Sequence, residues 1–155
     1  MVSQDIIQAF KESACGEINL ARSGINRYLV DVPFMFTDGD HYVVILRQEG
    51  TGWVLSDEGH TFMHLSYDLR EMEFEQGNRR KKIDEVLLQY QVGDRDGELV
   101  LKIPEGRYGD ALFTFIQAIT RITDVSFLDR ETVKNTFRED DFNGLISEKG
   151  EWPRT

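Results

Sequence analysis

The sequence predicts an α+β fold, with an antiparallel sheet of about five strands packed by about four to five helices in a single domain. Two observations lead there. Between Tyr28 and Leu55, three apolar β-type runs are separated by the turn clusters Thr37-Asp38-Gly39-Asp40 and Glu49-Gly50-Thr51-Gly52, a spacing that suits hairpins rather than crossover helices. On either side of this block, apolar residues recur at the helical period instead. With 155 residues and 40% hydrophobic content, the chain is long enough for one core without a metal or disulfide. Residues 1–150 are read as that domain and 151–155 as a loose C-terminal tail.

Taken in order, Ser3 to Ala14 reads as a helix capped by Ser3, with Ile6, Ile7, Phe10 and Ala14 forming one apolar stripe that should pack against the sheet. Glu17 to Ala21 alternates as a half-buried strand, and Ser23-Gly24 with Asn26 turns it into Tyr28-Leu29-Val30. Pro33 lacks an N–H for the ladder, so this strand is expected at an edge, bulged, or divided at Val32-Pro33. Tyr42 to Leu46 is apolar without alternation, as in a central strand covered on both faces, and Trp53-Val54-Leu55 completes an antiparallel meander.

A second helix follows over Glu58 to Met72, with Phe62, Leu65, Leu69 and Met72 inward and Ser56 or Asp57 accepting its first free amide bonds. Gln76-Gly77-Asn78 is read as a break before a third helix marked by Ile83, Val86, Leu87 and Tyr90. Gly93 to Gly97 is read as a loop, and Leu99, Leu101 and Ile103 as a strand buried on one face and ended by Pro104. The strongest helical signal runs from Asp110 to Thr123, through Leu112, Phe115, Ile116, Ile119 and Ile122. Asp129 can cap a further helix holding Val133 and Phe137.

The formal charge of −10, from 28 acidic and 18 basic residues, argues against general nucleic-acid binding and favours a protein partner with a basic surface. The lone Cys15 excludes an internal disulfide. The first residues contain no uninterrupted signal-peptide core and no run is long enough to span a membrane, so the expected setting is cytoplasmic, with no membrane association.

Few residues carry a chemical signature. Asp57, His60 and His64 form the best metal-ligand set, because a helix brings residues 60 and 64 one turn apart and Asp57 approaches from its start. The glutamate of HExxH is absent, and the wheel predicts a solvent-facing histidine pair. Asp38 and Asp40, with Asp57 or Glu58, offer a carboxylate cluster for a divalent cation, although the Glu-x-Lys of metal nucleases is missing. Turn and cap roles account for these aspartates without chemistry. Arg79-Arg80-Lys81-Lys82 gathers four cations at a helix start, against the dipole, and is the candidate interaction surface. GxSxG, P-loop and GxGxxG motifs are absent, so no catalytic residue is assigned and no cofactor is expected beyond a divalent metal at the Asp57 set.

Val32-Pro33-Phe34, Asp38-Gly39-Asp40, the apolar Tyr42 to Leu46, and Val54-Leu55-Ser56-Asp57-Glu58-Gly59-His60-Thr61 resemble an uncharacterised domain family of bacteria and phages, over about the first 70 residues. The resemblance implies a setting in mobile elements and phage-conflict loci, and supplies no catalytic residues. The leading expectation is therefore a small, acidic, non-enzymatic interaction protein that modulates or inhibits a bacterial, defence-related protein. The alternatives are a metal-dependent hydrolase or nuclease using Asp57, His60 and His64, and an antitoxin or immunity protein for a cognate toxin.

Overall fold

The computed structural model describes residues 2–69 and 76–125. Helix α1, Val2–Gly16, leads into a hairpin of β1, Asn19–Arg22, and β2, Arg27–Asp31. The chain then makes a connection over residues 32–43 before the β3–β4 hairpin, Val44–Glu49 and Gly52–Ser56. Helices α2, His60–Leu69, and α3, Gln76–Tyr90, follow, then a third hairpin of β5, Gly93–Arg95, and β6, Glu98–Ile103. Helix α4 spans 108–125. The strands form one antiparallel sheet of six in the order β1-β2-β3-β4-β6-β5, so the α+β class holds with one strand more than expected.

The added strand is β5. Arg95 pairs with Glu98, leaving a two-residue loop in which Asp96 and Gly97 take φ of 53° and 95°. Two successive positive φ values make the turn whose twist matches a hairpin, and Asp-Gly is its preferred sequence. The Asp94 carboxylate accepts a hydrogen bond from the Gly97 amide at 2.7 Å and fixes the bend. Those residues read as a loop because they carry no apolar side chain.

Pro33 acts as expected. β2 stops at Asp31, and the chain leaves the sheet to form a small bridged loop in which Met35 pairs with His41 and Phe36 donates its amide to Asp40 at 2.8 Å. Tyr42 belongs to this loop, and the strand proper begins at Val44. The apparent break at Gln76-Gly77-Asn78 is instead the start of α3. That helix closes with Gln91 at φ 57° and the Val92 amide bonded to the Leu87 carbonyl, the left-handed cap that ends many helices.

The register puts Val30, Val44, Leu55, Leu99 and Leu101 on one sheet face, where they form a continuous core with Leu65 of α2, Ile83, Val86 and Leu87 of α3, and Leu112, Phe115, Ile116, Ile119 and Ile122 of α4. Ile45, Val54 and Val100 lie on the opposite face and are buried outside that cluster. An ion-pair network lies across this second face: Arg27 to Glu58, Arg47 to Glu49 at 2.9 Å and Glu98 at 2.6 Å, and Arg95 to Glu49 at 2.8 Å. The Arg95 and Arg47 guanidiniums hold the Glu49 carboxyl down at about 2. Arginine stems also cover apolar surface, so such a network suits a face opposite the described core helices.

Helix α1 departs from expectation. Every described side chain from Gln4 to Gly16 is exposed, and none belongs to the core. Strand β1 is exposed along its whole length rather than half-buried. The expected Ser3 cap, the inward Leu69 and Met72, the helix of Asp129, Val133 and Phe137, and the tail 151–155 lie outside the described side chains.

Candidate functional site

The β4–α2 junction places most of the polar residues singled out above. Asp57 is fully buried. Its Oδ1 accepts hydrogen bonds from the Gly59 and Leu99 amides at 2.9 Å each, and Oδ2 accepts one from the Thr61 amide at 3.1 Å. One carboxylate thereby starts α2 and ties that start to β6. The neighbouring Ser56 hydroxyl accepts from the Glu58 amide at 2.9 Å and donates to Glu98 at 2.5 Å. Glu58 and Gly59 take φ of 48° and 83°, the tight geometry that this bonding supports.

With both oxygens engaged by backbone amides, Asp57 is occupied as a structural anchor. His60 turns its Nδ1 toward the Asp57 carbonyl at 3.0 Å. His64 goes elsewhere: its ring stacks on Phe36 with centroids 4.1 Å apart, and its side chain is only 14% exposed. It is therefore packed under the 32–43 loop rather than facing solvent. The apolar-face argument failed because that loop folds over α2 and supplies a second, aromatic surface.

Among the described residues, the ligand atoms that converge within 4.8 Å are those of Asp38, Asp40 and His64. Asp38 Oδ2 lies 2.9 Å from His64 Nδ1, and Asp40 Oδ2 lies 3.8 Å from Nε2. A carboxylate only accepts, so Nδ1 is the donor, and Nε2 lies on the side of Asp40. The Asp40 amide and then the His64 ring hold the Asp38 carboxyl below its ordinary value. Spacing along the chain could not show this, because Asp38 and His64, 26 positions apart, are brought together by the β3–β4 hairpin.

The basic run is divided by its helix. Advancing 100° per residue, α3 puts Arg79 on the same side as Ile83 and Val86, and Arg79 is buried at 1% exposure. Arg80 pairs with Asp84 at 3.1 Å and Asp94 at 2.5 Å and lies over the Phe62 ring, 5.6 Å from its centroid. Lys81 and Lys82 are exposed. The expected four-cation surface is thus one inward arginine, one arginine spent on internal pairs, and two lysines at the surface.

An uncovered apolar stripe lies on α1, which was expected to pack against the sheet. Ile6 and Phe10 are 64% and 72% exposed, and together with Ile7 they line a shallow depression bordered by Lys11. On the far side of the helix, Gln8 Nε2 donates to Glu12 at 2.8 Å. The amphipathic pattern was legible in the sequence, but not that its stripe is left exposed.

The architecture defines the class as an α+β domain whose six-stranded antiparallel sheet carries its described core helices on one face. Residues 32–122 match the family described as "Domain of unknown function DUF1828", and the chain belongs to that family. The matched segment starts at Val32 and takes in most of the described part of α4, so the likeness expected over about the first 70 residues begins later and extends further. It includes the Asp38–His64 cluster and α3 and leaves out α1, β1 and β2. No curated protein and no solved structure matches the chain.

Proposed function

We propose that this chain is a small, acidic, non-enzymatic interaction protein that binds and modulates a bacterial protein with a basic surface, and that α1 is its docking element. The observation that carries the reading is the exposure of every described side chain of a helix bearing an apolar stripe of Ile6, Ile7, Phe10 and Ala14. Anchors at this spacing are how an amphipathic helix enters a hydrophobic groove on another protein. A stripe of four side chains falls well short of the roughly 800 Å² per partner that stable interfaces need, unless a groove wraps the helix. Two copies would each bring a charge of −10 and repel, which favours a basic partner over self-association. The resemblance to a bacterial and phage family supports a setting in mobile elements, with a defence-related protein as target.

The test is affinity purification from bacterial cells with the wild type and an Ile6→Ser/Phe10→Ser variant, followed by titration of the purified partner. The reading predicts a stoichiometric basic partner that the variant binds at least about tenfold more weakly, as for central apolar anchors. Equal binding by both, or turnover of a substrate by the chain alone, would overturn it.

A second reading, a metal-dependent hydrolase or nuclease, is favoured by the orientation of His64. Histidines that ligate metals commonly donate their other N–H to a carboxylate, as Nδ1 does to Asp38, and the Nε2 to Asp40 separation of 3.8 Å would admit a cation with bonds of roughly 2 Å. This version uses His64 with Asp38 and Asp40, while Asp57 serves as anchor. Elemental analysis of protein purified without chelator should then give one zinc or similar ion per chain, lost in His64→Ala. No metal, or metal retained in the variant, would sink it.

A further inference from the structure

Helix α4 presents Phe113, Ile116, Gln117, Thr120 and Arg121 along one stripe, at the i, i+3, i+4, i+7 and i+8 positions. With Phe34 from the loop after β2 and Tyr90 at the end of α3, this stripe walls a cleft of about 550 Å³. That is within the range of roughly 300–1,000 Å³ typical of small-molecule sites. Two of its walls are open aromatic rings, since Phe34 and Phe113 are 39% and 52% exposed. Phe34 is held by stacking on Tyr42 at 6.3 Å, and the Tyr42 hydroxyl lies 3.0 Å from Thr120 Oγ1, so the aromatic wall and α4 are locked together.

Arg121 distinguishes this cleft from an ordinary apolar depression. Arg27, Arg47, Arg80, Arg95 and Arg107 each pair with a carboxylate, whereas Arg121 makes no ion pair or hydrogen bond among the described residues. A guanidinium with no acid partner among the described residues, at the border of an aromatic cleft, is placed to meet an external anion. All the lining residues fall inside the family segment 32–122, unlike α1.

We propose that this cleft binds a small organic anion with a flat aromatic body, the body seated between Phe34 and Phe113 and the anionic group on Arg121, with Gln117 as a neighbouring hydrogen-bonding group. The site is separate from α1 and stands or falls independently of the docking function.

The probe is the aromatic sulfonate 1-anilinonaphthalene-8-sulfonate, titrated by fluorescence against the full chain, with the uncharged N-phenyl-1-naphthylamine as its neutral counterpart. Saturable sulfonate binding is expected, weakened about tenfold by Arg121→Gln, as for loss of a hydrogen-bonded charge partner. Arg121→Lys should retain most of it, and the neutral dye should bind Arg121→Gln as it binds the wild type. Phe113→Ala, an exposed position where folding is not at stake, should weaken both dyes. Phe10→Ser on α1 should change neither. Sulfonate binding that does not saturate, that ignores both Arg121→Gln and Phe113→Ala, or that is abolished by Phe10→Ser would overturn the proposal.

Discussion

Helices α1 and α4 have much the same sequence grammar and opposite fates. Both carry an apolar stripe at helical spacing, and both were expected to lie on the sheet. In α4, Phe115, Ile119 and Ile122 are completely buried, whereas in α1 Ile6 and Phe10 remain largely open. The difference lies in what is left to cover. Helices α2, α3 and α4 share the core face with the inward side chains of β2, β3, β4 and β6, and the opposite face carries its own ion-pair network. An amphipathic pattern records that a helix has something to bury, and not whether the burial occurs within its own chain.

The sharpest way to break this contrast is a matched truncation. Phe115→Ala should cost about 3–5 kcal/mol of stability, the usual range for a buried phenylalanine. Phe10→Ala should stay within about 0.5 kcal/mol, as surface changes do. Equal losses in denaturant unfolding would mean that α1 is part of the fold.

Next in size is the anchor between β4 and β6. Asp57→Ala removes the acceptor for three amides, two of them on buried residues, and should cost about 3 kcal/mol in the same assay. Its effect should fall on stability and leave partner affinity unchanged, the reverse of Ile6→Ser/Phe10→Ser. A Asp57→Ala variant of wild-type stability would remove the structural account of that carboxylate.

The smallest effect is expected from the open sheet face. The folded-state pKa of Glu49, about 2, lies below its ordinary 4.5. Its pairing therefore contributes stability that is complete above pH 4.5 and lost as pH falls toward about 2. A melting series in acid should show a shallower decline for Glu49→Gln than for the wild type. Identical slopes would show that the Arg47–Glu49–Arg95 network contributes nothing to acid stability.

The parts of this fold that were legible in the sequence are those set by local chemistry. Turn clusters located the hairpins, Pro33 ended β2, Asp57 capped α2, and the apolar period of α4 marked its core face. What escaped depends on contacts distant in the chain. His64 is covered by a loop some 26 residues earlier, Arg79 is turned inward by the phase of α3, and β5 exists because Asp96-Gly97 folds a nearly side-chain-free segment back on β6. The site was correspondingly half legible: Asp38, Asp40 and His64 were all noticed, but as members of different sets.

Amide hydrogen exchange across residues 4–16 and 108–125 tests the central claim most directly, in the isolated chain and then with its partner. A helix of 15 residues without tertiary packing is marginal in water, so α1 should exchange at least about a hundredfold faster than the core amides of α4. On binding the partner, protection should rise in α1 and stay constant in α4. If α1 is already protected to the level of α4 in the isolated chain, its stripe is buried within this protein and the docking role is contradicted.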